Sequence, residues 1–539
     1  MRTWLLACVI LAHLRPLPVV GFIPTKTTWT FDAASSNMPL TPMVDTQLTV
    51  VAPACDLAEY DLLAVVVPCN SSKRDDTSNT TASTELDAVI ESMVETKVKS
   101  VVRIVNGTAL TRVLLIELPE DESDDGALGR KVGDAVLVAL NSEKGVKSCG
   151  VKLPESCNST SFFSECSSTI LSGMYNDKRF KRKVDDDASS VETIEFIIAS
   201  SSVDHHVASD AVRHGSILAK GMYLAKDIVN APHNSLNSHG LVAVSKSIVA
   251  QSGGRLSCLI LETADCEKRG MGAFLGVARG SETAPKLIHL TYKPKQRGSK
   301  SNPLKKLGVV GKGLLFDTGG YSIKTAMMEL MKFDCGGAAA VLGAAFAIAA
   351  LQPEGVEVHF VIAACENMIN ERAVVPGDVL TAANGITIEV VNTDAEGRLT
   401  MADALVYIDK EVGCDTIIEL STLTGSCIGA LGSAMSGMWS DDNDLLNSLK
   451  SAAQATGEKL WHMPLEKSYN EEIKSKIADL KNIGGRYAGA ITAALFLTNF
   501  VDGKPFAHID MAGPVWSGKT GATGWGTKLV TEWVCRNGI

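Results

Sequence analysis

Apolar positions along the chain fall into short runs separated by polar, glycine-containing segments. In the first part, Leu62–Val67, Arg112–Leu118, Ala135–Leu140 and Thr193–Ser200 predict strands, and Glu85–Thr96 predicts a helix between them. The stretch Cys69–Ser83, rich in Ser, Thr, Asn and charge, predicts a surface loop. Further on, Ile217–Val229 has helical periodicity that Ala231-Pro232 brings to an end. Leu256–Leu261, Lys286–Tyr292, Leu307–Phe316, Val356–Ala364, Thr416–Ser421 and Phe506–Met511 then predict strands, with Gly336–Ala350 as an Ala-rich buried helix. Continuous apolar strands alternating with helices imply a sheet covered on both faces. The pattern predicts an α/β protein of two domains, each a mixed or mostly parallel sheet flanked by helices, with the chemistry-bearing domain C-terminal. The expected boundaries are 1–45 for a presequence and linker, 46–205 for the first domain and 206–539 for the second.

The N-terminus adds a targeting signal to this picture. Arg2 precedes an apolar run from Trp4 to Ala12 that continues with interruptions to Val20, which is signal-peptide-like and too short and Pro-broken to span a membrane. Val19 and Gly21 suit cleavage near Gly21–Phe22, and a poorly charged Ser/Thr-rich stretch follows from Thr25 to Val44. The Val20-Gly21-Phe22 junction, followed by Pro24, resembles the bipartite presequences of algae with secondary plastids and predicts a plastid location. Secretion is the alternative, or the cytoplasm where the signal is not used. Sequons at Asn70, Asn79, Asn106 and Asn158 permit glycosylation. No later segment is expected in a membrane, Ala338–Leu351 being too short.

Charge and cysteine usage narrow the classes further. Lys plus Arg total 51 and Asp plus Glu 61, so the net charge of −10 disfavours nucleic acid as a partner. The basic stretches Lys178–Lys183 and Lys293–Lys306 sit in polar segments and are expected to be solvated loops. The 13 cysteines contain no CxxC, which argues against a thioredoxin-like pair or zinc knuckle. Cys335, Cys365, Cys414 and Cys427 suit buried apolar positions, whereas Cys149, Cys157 and Cys166 cluster in a polar stretch where two of them could pair.

Three groups of residues carry chemistry. In the first, an apolar strand carries Lys312 mid-run, delivers Asp317 at its end, turns through Gly319-Gly320 and reaches Lys324. A charge buried in such a strand needs a partner or a metal, and a Lys–Asp structural pair would serve as well. The second, Met331-Lys-Phe-Asp334-Cys-Gly-Gly, puts a carboxylate before the Ala-rich helix, where it could simply cap the N-terminus. In the third, Asp394, Glu396 and Arg398 alternate at spacing two after the strand-like Ile386–Val391; in extended backbone that would place them on one face. Together, four carboxylates exceed what two lysines and one arginine would hold as a structural cluster, and a pair of divalent ions would use them well. Lys312 could then ligate through nitrogen only when deprotonated. His359 and His508 lie in or beside apolar strands and suit core roles, so no His-rich site is expected.

These stretches resemble the leucyl aminopeptidase (cytosol aminopeptidase) family of dinuclear metallopeptidases. The matching segments are VGKGLLFDTGGYSIK (310–324), ELMKFDCGGAAAVLGA (329–344), ENMINERAVVPGDVL (366–380), EVVNTDAEGRLTMADAL (389–405), ELSTLTGSCIGALG (419–432) and HIDMAGPVW (508–516). NTDAEGRL is the most specific of them. The resemblance is strong over roughly 210–530 and weaker before it. It implies that Lys312, Asp317, Asp334 and Glu396 hold a tighter metal, and that Asp317, Asp394 and Glu396 hold a more exchangeable one. Lys324 would be the catalytic lysine, and Arg398 would anchor a bicarbonate acting as general base. Met331, Thr422 and Gly425 would line the pocket for the first substrate side chain, favouring Leu or Met. Zinc or manganese is expected at both sites, with magnesium or cobalt possible. The expected partners are peptides with a free N-terminus, the expected assembly is a homohexamer, and the mature form would contact no membrane.

Three positions depart from the family. The segment between Lys324 and Asp334 is shorter than usual by at least one residue, Cys335 stands where Met is common, and Ile386 stands where Lys is common. Two other readings use the same residues: a phosphoesterase-like dinuclear hydrolase, which would need more cationic donors, and a moonlighting oligomeric nucleic-acid-binding scaffold. Lys324 and Arg398 disfavour pure scaffolding, because neither is needed to hold metal.

Overall fold

The computed structural model describes residues 40–41, 46–51, 57, 60–68, 90, 92–93, 101–106, 109–182, 191–198, 204–295 and 303–538. The signal-like segment and the loop expected at Cys69–Ser83 lie outside the described residues. Of the helix expected over Glu85–Thr96, residues 90, 92 and 93 are described and are helical.

The N-terminal unit is a six-stranded sheet. Its strands are β1 (Gln47–Val51), β2 (Leu62–Val67), β3 (Val102–Asn106), β4 (Ala109–Glu117), β5 (Ser148–Lys152) and β6 (Thr193–Ile197), in the order β1-β6-β5-β2-β4-β3. Every neighbour pair is parallel except β3 with β4. The strand expected at Ala135–Leu140 is instead part of a helix, Asp125–Ser142, capped by Asp124. Six residues are too few to expose the period. Over the whole helix, Gly129, Val132, Gly133, Val136, Ala139 and Leu140 are buried at spacings of three and four, while Val138 is 67 % exposed. Cys149, Cys157 and Cys166, which could have paired, are all free thiols inside this unit's core.

The C-terminal unit is built on an eight-stranded mixed sheet with a small sheet beside it. The strands are β7 (Leu256–Leu261), β8 (Lys286–Tyr292), β9 (Lys305–Asp317), β10 (Val356–Asn367), β11 (Val379–Thr381), β12 (Thr387–Glu389), β13 (Thr416–Ser421), β14 (Ser436–Trp439), β15 (Leu460–His462), β16 (Leu480–Lys481) and β17 (Phe506–Asp510). The large sheet runs β15-β14-β17-β13-β9-β10-β8-β7, and the small one β11-β12-β16. Strand β9 is interior and parallel to both neighbours, β10 and β13. Its side chains alternate between two cores: Leu307, Val309 and Leu315 meet the Gly336–Leu351 helix, while Val310 and Leu314 join a cluster with Leu399, Met401 and Leu495. An apolar strand covered on both faces is therefore what puts Lys312 deep in the protein and Asp317 at the sheet's carboxyl edge. His359 and His508 are core residues. His359 sits 3.0 Å from His289, with burial pushing its pKa down to about 4, and His508 pairs with Glu419 at 2.5 Å.

The two units are pinned by buried charge. Glu165 of the first unit accepts from Arg130 (2.9 Å) and from Lys528 (2.8 Å) on the last helix, Thr527–Asn537. That helix starts at Gly526, which offers no capping side chain, so Glu458 does the work from outside by accepting from Gly526 N (2.9 Å) and Leu529 N (2.7 Å). Burial raises the Glu458 carboxyl from 4.5 to about 7, against the pull of Lys528 and the two backbone donors. Between those values the folded chain holds a proton that the unfolded chain has released, so this contribution is full below pH 4.5 and is lost as pH rises towards 7. Glu458→Gln is expected to give a shallower fall of the urea midpoint across that window than the unaltered chain; an identical slope would contradict the assignment.

Candidate active site

The carboxyl end of β9 is where the acidic side chains meet. Oxygens of Asp317, Asp334 and Glu396, all buried, lie within 4.8 Å of one another. Asp334 arrives from a 3₁₀ segment, Met328–Cys335, and does not cap the following helix: Cys335 occupies the cap position without a side-chain bond. Its carboxylate instead takes Lys312 Nζ at 2.7 and 2.8 Å and the Thr422 hydroxyl at 2.7 Å. Lys312 Nζ also reaches Glu396 Oε1 at 3.3 Å and donates to Thr422 O at 3.0 Å. Burial disfavours the Lys312 ammonium, but Asp334, Glu396 and Asp317 outweigh it and hold its pKa above the ordinary lysine range. These neighbours favour the ammonium form of Lys312, and ligation of a metal through its nitrogen would require loss of that proton. Burial, and next Asp317, raise the Glu396 carboxyl to about 8, and burial raises Asp334 as well. Such crowding of like charge is what a divalent ion relieves.

Asp394, Glu396 and Arg398 do not lie along an extended strand. The segment from 390 to 396 turns, and Glu396, in right-handed helical conformation, opens the Gly397–Val406 helix. The turn, rather than a spacing of two in a strand, brings Asp394 and Glu396 to the cluster. Asp394 is its solvent-side member, with a side chain 34 % exposed. Lys324 Nζ lies between Asp394 Oδ1 (2.6 Å) and Asp317 Oδ2 (2.8 Å). Burial opposes its charge, but Asp317 and Glu396 prevail and its pKa is raised. Arg398 is fully buried; Nε and Nη1 have no hydrogen-bond partner among the described residues. Burial pulls its pKa down to about 10, with Glu396 and Asp510 resisting. Buried guanidinium donors left open in this way form a ready anion site.

Two glycines make the arrangement possible. Gly319 adopts φ +84°, and a Cβ there would stand 2.7 Å from Asp394 Oδ1. A Cβ on Gly397 would stand 2.6 Å from Lys312 Nζ. Met331 is half-buried on the 3₁₀ segment, three residues before Asp334. Thr422 lies in the connection from β13 to the short Gly425–Leu431 helix, whose first residue, Gly425, faces open space. Thr422 thus belongs to the acidic cluster, through its bonds to Asp334 and Lys312.

Sequence reasoning overlooked the neutral residues that orient these groups. Asn367, at the end of β10, donates to Asp317 Oδ1 (2.8 Å) and to Thr393 O (3.0 Å). The Thr393 hydroxyl donates to Gly319 O (2.7 Å) and accepts from Ser322 N (2.7 Å). Asn367 had one readable signal, a polar residue at the carboxyl end of an apolar strand; Thr393 and Ser322 had none.

Residues 223–531 match the cytosol aminopeptidase family, catalytic domain. A probable cytosol aminopeptidase of Rippkaea orientalis is 45 % identical over 445 residues, covering 81 % of this chain and 87 % of that protein. One from Nostoc punctiforme is 50 % identical over 369 residues, covering 67 % and 72 % respectively. A solved structure of a tomato leucine aminopeptidase mutant superposes with a TM-score of 0.78 at 35 % identity, covering 93 % of this chain and 98 % of the other.

The close approach at Gly397 gives a sharp test of the cluster. Gly397→Ala should push Lys312 off Asp334 and weaken Mn²⁺ binding, measured by calorimetry, by at least ~10-fold. Unchanged affinity would contradict the placement of Lys312 in the metal site.

Proposed function

The chain belongs to the cytosol aminopeptidase family and is an aminopeptidase, and from that premise we propose that it removes Leu- or Met-like residues from peptide N-termini at this acidic cluster. The observation that carries this reading is the convergence of Asp317, Asp334 and Glu396, with Lys324 seated between Asp317 and Asp394. The family is metal-dependent, and the acidic cluster suits a pair of divalent ions sharing its carboxylates. Three buried carboxylates lie within 4.8 Å of one another, and Glu396 Oε2 has no hydrogen-bond partner among the described residues. Lys312, Asp317, Asp334 and Glu396 would hold the tighter ion; Asp317, Asp394 and Glu396 would hold the exchangeable one. Zinc or manganese suits both, and magnesium or cobalt would be accepted by the oxygen donors. Bound there, the ions would supply Lewis acidity and a water acidic enough to ionise near neutral pH.

The chain's own groups do the rest. Lys324 stays protonated and half-buried, so its ammonium would stabilise negative charge developing on the attacked carbonyl oxygen. The open donors of Arg398 suit a small planar anion, and bicarbonate there would supply a proton acceptor. Met331, Thr422 and Gly425 would form the walls for the first side chain, with soft selectivity, since one methylene is worth only about 1–3 kcal/mol. Large apolar side chains left exposed on this unit, among them Ile369, Val375, Val391 and Tyr487, support burial in an assembly, for which we propose a homohexamer.

For location we propose a plastid, reached through the signal-like segment and the Phe22 junction. Processing must then spare Leu40 and Thr41. Leu40 packs on the C-terminal unit's core, and Thr41 gives Asp227 two bonds, from its N (2.7 Å) and its hydroxyl (2.5 Å). N-terminal sequencing of the protein from its native source should begin upstream of Leu40; a start beyond Thr41 would refute this.

With Mn²⁺ or Zn²⁺ present, the enzyme should release p-nitroaniline from leucyl-p-nitroanilide and leave p-nitrophenyl phosphate intact. Phosphate-ester cleavage without amidase activity would overturn the reading. Lys324→Ala should retain bound metal while kcat falls about 10²–10³-fold, and an unchanged kcat would remove Lys324 from its role.

A further inference from the structure

Residues 390–396 carry Asp394 and Glu396, yet form no helix or strand. Where such a segment is partly buried, its backbone groups must find partners elsewhere. Much of the demand is met by one side chain from a distant part of the chain. Asn482 Oδ1 accepts from Val391 N (2.8 Å) and Asn392 N (3.3 Å), and its Nδ2 donates to Asn392 O (2.6 Å) and Ala395 O (3.3 Å). Asn482 is fully buried, and its own backbone N donates to Glu389 O at 3.0 Å. Only a primary amide offers two donors and an acceptor in this compass, so neither Asp nor Leu of similar size can replace it.

We propose that Asn482 is a positioning residue of the peptidase reaction: it sets the height of the turn at 391–395 and so places Asp394 for the exchangeable metal ion. The claim rests on the two-ion reading above. The selectivity follows from where the ligands originate. Lys312 and Asp317 stand on β9, and Asp334 is held by Lys312 and Thr422. Asp394 stands on the turn, its carboxylate meeting Lys324 Nζ (2.6 Å) and its N donating to Asn392 Oδ1 (2.8 Å), and Asn392 is itself gripped by Asn482. On the other flank Thr393 is fixed by Gly319, Ser322 and Asn367, so loss of Asn482 would tilt the turn rather than unfold it. A tilt moves Asp394 most and the β9 ligands least.

The test is a Mn²⁺ titration of the full chain followed by calorimetry and by electron paramagnetic resonance, with thermal melts alongside. Asn482→Asp loses both donors and sets a carboxylate against two carbonyls. It should bind the first ion as the unaltered protein does and the second ~10–100-fold more weakly. Its kcat should be depressed at low Mn²⁺ and recover as Mn²⁺ is raised; because Mn²⁺ would also stabilise a weakened fold, the thermal melts at low Mn²⁺ must show the variant folded at the assay temperature. Asp479→Ala is the control: Asp479 ties the same small sheet together by accepting from Thr387 N (2.8 Å) and Oγ1 (2.7 Å), without touching the loop. It should leave both affinities unchanged. If Asn482→Asp does not fold, Asn482→Ser is judged by the same criterion. Equal affinities in the Asn482 variant and the unaltered protein, or equal weakening by Asp479→Ala, would overturn the proposal. If the unaltered protein binds no Mn²⁺, the two-ion reading itself falls.

Discussion

Everything in this protein's site follows from holding like charges together inside a sheet. Asp317, Asp334 and Glu396 stand within 4.8 Å of one another, nearly out of reach of water. In the protein alone, Lys312 and Lys324 offset part of that repulsion. Their compensation is incomplete: Glu396 is pushed up to about 8, and one of its oxygens has no hydrogen-bond partner among the described residues. An arrangement so costly persists only where the surrounding fold over-determines it, and such sites are where function concentrates.

The fold supplies that over-determination from several directions. β9, parallel to β10 and β13 and packed on both faces, makes Lys312 and Asp317 the least movable members. Thr422 ties the β13 exit to Asp334, so that exit and the acidic cluster share a hydrogen bond. Asp510, at the end of β17, fixes the same exit by accepting from Leu423 N and the Thr424 hydroxyl, while also facing Arg398.

The sequence revealed this fold and site unevenly, for physical reasons. Strands such as β9 and β10 were legible because burial on both faces leaves an unbroken apolar run. The stretch Ala135–Leu140 was not, because six residues cannot distinguish a helical face from a buried strand. The charged residues stood out individually, since buried charge in an apolar context is rare. The geometry that unites them was not legible: a spacing of two suggested an extended face, whereas the chain turns and enters a helix at Gly397. Asn367 and Asn482 were invisible for a different reason. They carry no charge and follow no period, and what they do depends on contacts with residues 50 and about 90 positions away.

The account stands on the ions that this cluster is built to share. Crystals grown with Mn²⁺ and measured on both sides of the manganese absorption edge would test it directly. It predicts two anomalous peaks per subunit, both bordered by Asp317 and Glu396, one also by Lys312 and Asp334 and the other by Asp394, with Lys324 Nζ drawn away from Asp317. No peak among these carboxylates, in crystals of protein that cleaves leucyl-p-nitroanilide, would contradict it.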